Sequence, residues 1–312
     1  MTHVLVVGEP LVELLEGVPA VVGRGFGGDA LNFAVYLCRE APELDVSLGS
    51  AVGDDPLSDE LAQMCRDEGV DLAFVRRVAG CGIGRYSVRV HPSGERTFRY
   101  ERGNSPFRDL LDTPDHPLPD AEAVDLLWFS GVTLAVLHEA GRERLCDYAR
   151  SIRLGGGTVV YDPNHRSTLW EGPGAARGWT ARAVAAAHMV LASVDDGRQL
   201  TDAVTPREVA DAFRSLGAAE VVVTDGSAPC VVTSGSGMSE VPAPEAVAVL
   251  DTTAAGDAFD AGYVAARLRG EDPERSARAG QRAASIVVGH RGALIPRPGE
   301  PRSGRSSTGC PR

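Results

Sequence analysis

The segment whose residue types and spacing could do chemistry most directly is 249–268, where an apolar stretch leads through small residues into a helix-forming run. Ala254, Ala255 and Gly256 are small enough to let backbone N–H groups approach a phosphate at the start of that helix, where the dipole favours negative charge. Asp257 follows in the first turn, so a hydroxyl held there could lose its proton while a phosphoryl group is stabilised. The alternative is that Asp257 only stabilises the helix N-terminus and that the small residues serve packing.

Strand and helix signals alternate along the chain and would position this segment. Apolar, β-branched runs such as HVLVVG and GTVVYD indicate strands buried on both faces of a parallel sheet. Helical patterns over 29–40 and 56–69 lie between such runs, and the segments 84–90 and 96–101 flank the turn sequence HPSG and predict a hairpin that could project as a lid. We therefore expect an α/β fold whose ligands bind at the carboxyl ends of the strands.

The composition excludes several classes of function. The formal net charge is -12, and every basic residue in the chain is arginine. This balance provides no broad basic surface for nucleic acid or an anionic membrane. A phosphate-binding loop of the GxxxxGK[ST] type is also excluded, because it requires a lysine. Phosphate chemistry in this chain must therefore rely on arginine, backbone amides and metal.

The cysteines and the apolar segments indicate the cellular setting. The 6 cysteines are scattered and never form CxxC, so neither a zinc site nor a redox pair is indicated. The N-terminus lacks a basic region followed by a long apolar stretch, and no run of about 18 apolar residues occurs. We expect a cytoplasmic protein that is neither secreted nor membrane-spanning.

Two motifs more than two hundred residues apart carry a family resemblance. DTTAAGDAF, residues 251–259, resembles the C-terminal signature of the ribokinase-like (PfkB) carbohydrate kinases, and RGFGGDALNFAVYLCR, residues 24–39, resembles their N-terminal glycine signature. The segments GERTFRYERG, LLWFSGVTLAVL, DPNHRSTLW and RGALIPR resemble one branch of the family, the 2-keto-3-deoxygluconate kinases. The resemblance covers nearly all of residues 1–297.

The resemblance implies a fold and a domain organisation. It predicts a ribokinase-like three-layer sandwich with a central, mostly parallel sheet and a small β lid. Residues 1–297 would form the kinase domain, with the lid built from about 11–25 and 84–103. The tail 298–312 is expected to be disordered, because it is rich in glycine, proline and serine.

The resemblance also implies a reaction. It predicts ATP-dependent phosphorylation of 2-keto-3-deoxygluconate at its 6-hydroxyl, with Asp257 as general base and the amides around Ala254, Ala255 and Gly256 stabilising the transferred group. This suits phosphoryl transfer, which depends mostly on positioning and charge neutralisation. Another acceptor, such as fructose or a nucleoside, stays open. The stereochemistry of the sugar, the oligomeric state and a requirement for a monovalent cation in addition to Mg²⁺ also stay open.

The implied sugar-binding positions have side chains that suit a polyol or a carboxylate. They are Gly28, Asp29, Asn32, Tyr86, Tyr100, Arg102, Arg166 and Asp257, with Glu9 and Glu13 expected nearby. Asp29 could instead be a simple helix cap, or both roles could coexist. Arg102 and Arg166 also suit a sugar acid on chemical grounds, because a guanidinium binds a carboxylate through two parallel hydrogen bonds. The alternatives are that they are solvated surface charges or, for Arg166, that it contacts ATP phosphates.

The implied nucleotide and metal positions include departures from the family. They are Asn164, Ser193, Thr224, Gly226 and Gly256 for ATP, and Asp196 for Mg²⁺. Ser193 and Asp196 stand where the wider family shows Asn-x-x-Glu, and Asp196 keeps an oxygen ligand for a hard cation. Thr224 and Asp225 stand where related kinases often have a lysine before the glycine, which leaves the nucleotide preference open. His165 and His290 lack a second histidine at ligand spacing, so we expect no metal there.

Two hypotheses from other classes are weaker. A dinucleotide-binding oxidoreductase is suggested by VVGEP and GFGG, but neither gives GxGxxG after a strand with an acid about 20 residues further on. A non-catalytic sugar sensor on a kinase scaffold would be expected to lose the base or the anion-binding cradle, and both are present in the sequence.

Overall fold

The structure is a computed structural model that describes residues 1–16, 21–90, 96–113, 115, 117–235, 237–245 and 247–297. Two sequence predictions, the turn at HPSG and the disordered tail 298–312, lie outside these residues.

Thirteen strands and nine helices occur in the described chain, beside short 3₁₀ turns. The strands are β1 (His3–Val7), β2 (Leu11–Glu16), β3 (Val21–Gly27), β4 (Asp45–Val52), β5 (Val75–Arg77), β6 (Gly84–Val90), β7 (Arg96–Glu101), β8 (Leu126–Ser130), β9 (Thr158–Asp162), β10 (Met189–Ser193), β11 (Glu220–Thr224), β12 (Cys230–Ser234) and β13 (Gly237–Val241). The helices are α1 (Asp29–Glu40), α2 (Pro56–Glu68), α3 (Gly131–Val136), α4 (Glu139–Leu154), α5 (Pro173–Ala186), α6 (Val194–Leu200), α7 (Pro206–Ser215), α8 (Ala255–Leu268) and α9 (Pro273–Val287).

Nine strands form the central sheet, in the order β13-β12-β11-β10-β9-β8-β1-β4-β5. All neighbours are parallel except β12, which pairs antiparallel with both β11 and β13. Helices lie between most of the parallel strands along the chain, as crossover connections require. The carboxyl ends of the parallel strands consequently meet along one edge of the sheet.

The central sheet is buried on both faces. In β1, Val4 and Val6 pack into one core with α1, α2, α8 and α9, whereas Leu5 and Val7 pack into a second core with α3 to α7. Burying one such side chain fully stabilises the fold by about 1.5–3 kcal/mol, which explains why the strand is an unbroken apolar run. The predicted three-layer α/β sandwich with a mostly parallel sheet is confirmed.

A separate four-stranded sheet has the order β3-β2-β6-β7. Strand β2 pairs antiparallel with β3 and parallel with β6, and β6 and β7 form the predicted hairpin. The expectation of a small β lid is therefore confirmed, while the division of the chain into one kinase domain over 1–297 stays a prediction. In the part of the chain that the structure describes, no helix has the length and apolar character needed to cross a membrane.

Candidate active site

A cavity of about 1250 Å³ opens at the carboxyl ends of the parallel strands, between the central sheet and the lid. Most of the residues predicted for the site line it: Gly28, Asp29, Asn32, Tyr86, Tyr100, Arg102, Asn164, Arg166, Ser193, Asp196, Thr224, Ala254, Gly256 and Asp257. Ala255 and Gly226 do not. The N–H of Ala255 already donates to the carbonyl of Thr252 at 3.2 Å, and Gly226 lies in an exposed turn beyond the end of β11.

Asp257 is buried in the first turn of α8. Its Oδ2 accepts a hydrogen bond of 2.8 Å from Nδ2 of Asn32, which lies one turn into α1. Burial, assisted by the negative charge of Asp29, raises the pKa of Asp257 to about 7, although Asn32 and Arg166 oppose the shift. A carboxyl with this pKa exchanges a proton readily near neutral pH, as a general base must.

The turn that leads into α8 has an unusual backbone. Ala254, the N-cap of α8, has a φ of 61°, in the left-handed region that residues with a side chain rarely adopt. The first N–H groups of a helix have no partner within the helix, and Gly256, the second residue of α8, lines the cavity. An anion could therefore bind at the N-terminus of α8, beside the carboxyl of Asp257.

Asp29 joins three elements of the fold. The N-cap of α1 is Gly28, and Asp29 is the first helical residue. Its Oδ2 accepts hydrogen bonds from the Ser130 hydroxyl at 2.6 Å and from Nδ2 of Asn164 at 2.8 Å. Its Oδ1 accepts from the N–H of Ala30 at 2.9 Å, so Asp29 bonds the first turn of α1 and also links α1 to the ends of β8 and β9.

Gly28 is required by both conformation and space. Its φ is 107°, and a Cβ atom placed on it would lie 2.5 Å from the backbone carbonyl oxygen of Glu9. We expect Gly28→Ala to lower the free energy of unfolding by about 2 kcal/mol or more, from backbone strain and steric overlap together. Urea unfolding followed by circular dichroism measures the change.

The control for this prediction is Gly25→Ala in β3, where the added Cβ would make an ordinary contact of 3.6 Å with Glu13. The control should change the free energy of unfolding by no more than about 0.5 kcal/mol. Equal effects of the two substitutions would contradict the role assigned to the backbone at Gly28.

The SVDD segment forms the start of α6 and holds Asp196 at the cavity wall. Ser193 is the N-cap, and its hydroxyl accepts from the Asp196 N–H at 3.1 Å and donates to the Asp196 Oδ2 at 2.7 Å. Asp196 Oδ1 accepts from the His165 N–H at 2.9 Å. Asn164 turns the chain there with a φ of 31°, and its N–H donates to the side chain of Asp162 at 2.9 Å. Two carboxylates are thereby fixed beside the ends of β9 and β10.

These carboxylates fit a hard divalent cation. Burial and the negative charges of Asp260 and Asp196 raise the pKa of Asp162 well above its ordinary value. A cation bound beside these groups would favour their ionised form. Oxygen ligands of this kind are those that Mg²⁺ prefers. The donor set of Asp162 and Asp196 therefore suits Mg²⁺.

Sequence reasoning missed two acids of the site, Asp162 and Asp260. Both line the cavity, and Asp260 Oδ2 accepts from Nε1 of Trp128 at 3.3 Å. Burial and the nearby Asp257 raise the pKa of Asp260. A signal for each was present, because Asp162 ends a predicted strand and Asp260 follows Asp257 by three residues, on the same helix face.

The lid contributes an aromatic and cationic wall. The Tyr86 hydroxyl donates to Glu13 at 3.0 Å, and the rings of Tyr86 and Tyr100 lie 5.8 Å apart. The guanidinium of Arg102 stacks over the Tyr100 ring at 4.8 Å, and its Nε lies 3.1 Å from Glu9 Oε2. Arg166, by contrast, is exposed at the cavity mouth and donates to the carbonyl of His165.

Several buried polar atoms at the cavity wall have no hydrogen-bond partner within the described chain. They are both carboxylate oxygens of Glu9, Oδ1 of Asn32, Nε and Nη1 of Arg102, and Nδ1 of His165. The contact between Glu9 and Arg102 is thus at ion-pair distance without hydrogen-bond geometry. Buried polar groups are nearly always paired, so this cluster of donors and acceptors suits a ligand that carries both hydroxyl and carboxylate groups.

Two exposed apolar side chains also line the cavity. Val249 and Leu250, just before the DTTAAGD segment, line it with exposed fractions of 61% and 58%. At another point of the cavity wall, the Thr224 hydroxyl donates to the carbonyl of Ala192 at 3.3 Å, which ties the ends of β11 and β10 together. The cavity therefore has polar side chains at the lid and two exposed apolar side chains in the segment that precedes α8.

Known proteins resemble this chain in family, sequence and fold. The model of the pfkB family of carbohydrate kinases matches residues 1–299. The 2-dehydro-3-deoxygluconokinase of Dickeya dadantii is 35% identical over 301 residues, covering 94% of this chain and 97% of that protein. The 2-dehydro-3-deoxygluconokinase of Escherichia coli K12 is 35% identical over 309 residues, covering 96% and 98%. The crystal structure of a putative ribokinase II from E. coli with ATP and Mg²⁺ has a TM-score of 0.83 at 21% identity, covering 94% of each chain.

Proposed function

We propose, from the premise that this chain belongs to the PfkB family of carbohydrate kinases, that its sugar substrate is 2-keto-3-deoxygluconate. The chain is an ATP-dependent carbohydrate kinase. The proposal concerns which sugar it phosphorylates and which residues act. The products would be ADP and 2-keto-3-deoxy-6-phosphogluconate.

The observation that carries the proposal is the buried guanidinium of Arg102. Its Nε and Nη1 have no hydrogen-bond partner among the described residues, and it lines the same cavity as Asp257. A guanidinium binds a carboxylate through two parallel hydrogen bonds. The substrate we propose carries a carboxylate at one end and its 6-hydroxyl at the other. The similar kinases are named for 2-dehydro-3-deoxygluconate, which is another name for the same sugar acid, and this similarity supports the choice.

The reaction assigned to the site is a direct phosphoryl transfer. Asp257 takes the proton of the 6-hydroxyl, whose oxygen bonds to the γ-phosphorus as the bond to the bridging oxygen of ADP breaks. Asn32 orients the carboxylate through its 2.8 Å hydrogen bond. The helix N-terminus at Gly256 stabilises charge on the transferred group. Asp196 and Asp162 would hold Mg²⁺, which supplies charge neutralisation on the phosphates when it is bound.

ATP would occupy the rest of the cavity. The exposed apolar side chains of Val249 and Leu250 suit the face of an adenine ring, and Thr224 would lie near it at the end of β11. Asn164, Ser193 and the start of α8 would lie toward the phosphates. This placement uses backbone and hydroxyl groups where related kinases often have a lysine.

The pH dependence of turnover follows from the raised pKa of Asp257, which lies at about 7. The base must be ionised to accept a proton, so its active form is lost as the pH falls through that value. We expect kcat at saturating sugar to fall about tenfold per pH unit on the acid side of about pH 7. A profile of ADP formation at saturating sugar from about pH 5.5 upward measures this, and an unchanged kcat between about pH 5.5 and 7 would contradict Asp257 as the base.

The substrate is tested with purified enzyme, ATP and Mg²⁺, with ADP formation as the readout. The panel contains 2-keto-3-deoxygluconate, gluconate, fructose, ribose and a nucleoside. We expect kcat/KM to be highest for the keto sugar acid. Equal or better turnover of a neutral sugar or a nucleoside would remove the proposed substrate while leaving the kinase assignment intact.

A further inference from the structure

Glu9 is a buried acid in the cavity wall that phosphoryl transfer does not use. It follows β1, and its side chain is only 2% exposed. Neither of its oxygens has a hydrogen-bond partner among the described residues. Its Oε1 lies against β6 of the lid so closely that a Cβ on Gly84 would be 2.8 Å away. The side chain therefore sits where the central sheet meets the lid.

The cation at ion-pair distance from Glu9 is Arg102, which follows β7 of the lid. Arg102 Nε lies 3.1 Å from Glu9 Oε2, and the Arg102 side chain is 14% exposed. The pair crosses from the central sheet to the lid, and unpaired N–H groups on Arg102 face unpaired oxygens on Glu9. The ion pair is incomplete, because Arg102 keeps unused donors and Glu9 keeps unused acceptors.

Charges of both signs act on Glu9. Arg102, the Ser105 hydroxyl and Arg108 favour its ionised form, while Asp29 of α1 repels it. Burial outweighs the attraction of Arg102 and raises the pKa of Glu9 above its ordinary value. A further carboxylate on Arg102 would leave two buried anions sharing one guanidinium, an arrangement in which one of them takes up a proton.

We propose that Glu9 is a specificity-determining residue of the sugar site, which takes up one proton when the carboxylate of a sugar acid binds Arg102. The inference rests on the proposed function. Protonation removes the repulsion between the two acids and turns Glu9 into a donor, whose O–H can bond the substrate carboxylate or the adjacent keto oxygen. The proton comes from solvent, so affinity for a sugar acid falls as the pH rises, while affinity for a neutral sugar does not.

Calorimetric titration of 2-keto-3-deoxygluconate into the full-length Asp257→Asn enzyme, without ATP, tests this proposal. The Asp257→Asn background removes the proton exchange of the base. Repeating the titration in buffers of different ionisation enthalpy gives the number of protons bound. We expect uptake to rise toward one proton per sugar as the pH increases from about 6 to 8.5, with affinity falling by up to about tenfold per pH unit.

Three further variants in the same background isolate Glu9. Glu9→Gln should abolish the uptake and make affinity independent of pH, whereas Glu9→Asp, which keeps the carboxyl group, should retain the uptake. Glu13→Gln makes the same chemical change at another buried acid, which bonds Tyr86, and should also retain it. Thermal unfolding checks that each variant is folded.

The outcomes separate this inference from the proposed function. Binding of the sugar acid without proton uptake, or uptake that persists in Glu9→Gln, would overturn the role of Glu9 and leave the substrate in place. Binding of fructose but not of 2-keto-3-deoxygluconate to the folded enzyme would overturn the proposed substrate, and the inference with it.

Discussion

Replacing Asp257 by asparagine should lower kcat by about 10²–10⁴-fold, the contribution that a positioned general base makes to proton transfer. Asparagine has the same shape and can still accept the hydrogen bond from Asn32, which is 2.8 Å long in the unsubstituted enzyme. Sugar binding should therefore persist while turnover is lost. Initial rates of ADP formation give kcat, and calorimetry without ATP gives the affinity for the sugar.

The matched control is Asp260→Asn, which makes the same change one turn further along α8. Asp260 is also buried and lines the cavity, but its side chain accepts from Trp128 and is assigned no proton from the sugar. Its substitution should reduce kcat far less. Full turnover by Asp257→Asn, or equal losses in both variants, would contradict the assignment of the base.

The fold was accessible from sequence because its signals are local. The apolar run of β1 is buried on both faces, and the segments 84–90 and 96–101 form the predicted hairpin. Strands β12 and β13 were not predicted, since CVVTS and GMSEV are short and polar residues interrupt their apolar pattern. These two strands form by pairing next to β11, and a local sequence pattern does not reveal such a pairing.

The contacts of the site are not local, which limits what sequence could predict about it. Asn32 and Asp257 are 225 residues apart in sequence, and Asp29 is 135 residues from Asn164. The motifs identify these residues as members of one site, but only the folded chain shows that Asn32 orients Asp257. No sequence pattern indicated that Glu9 and Arg102 would meet as an incomplete ion pair between the sheet and the lid.

Replacing Arg102 by methionine should lower kcat/KM for 2-keto-3-deoxygluconate by about thirtyfold or more. The change removes the proposed carboxylate ligand and leaves Glu9 buried without the cation beside it, and truncating one partner of a buried charge pair costs about 2–5 kcal/mol. The loss should fall mainly on KM for the sugar, because Arg102 is assigned to binding rather than to the reacting atoms. Initial rates at varied sugar and at varied ATP separate the two constants.

Arg166→Met is the control that decides which arginine holds the carboxylate. Arg166 lines the same cavity but is exposed and bonded to the carbonyl of His165, so its loss breaks no buried ion pair, although it should raise the pKa of Asp257 further. If Arg166 serves the phosphates, its variant should raise KM for ATP and spare KM for the sugar acid. The Glu9→Gln/Arg102→Met double variant also removes the charge of Glu9 that Arg102→Met leaves unpaired. Any loss of kcat/KM that remains in the double variant therefore measures the contact between Arg102 and the substrate carboxylate. The KM for the sugar acid could instead rise more in Arg166→Met than in Arg102→Met. That result would assign the substrate carboxylate to Arg166 at the cavity mouth. The pair of Glu9 and Arg102 would then serve only as a link between lid and sheet.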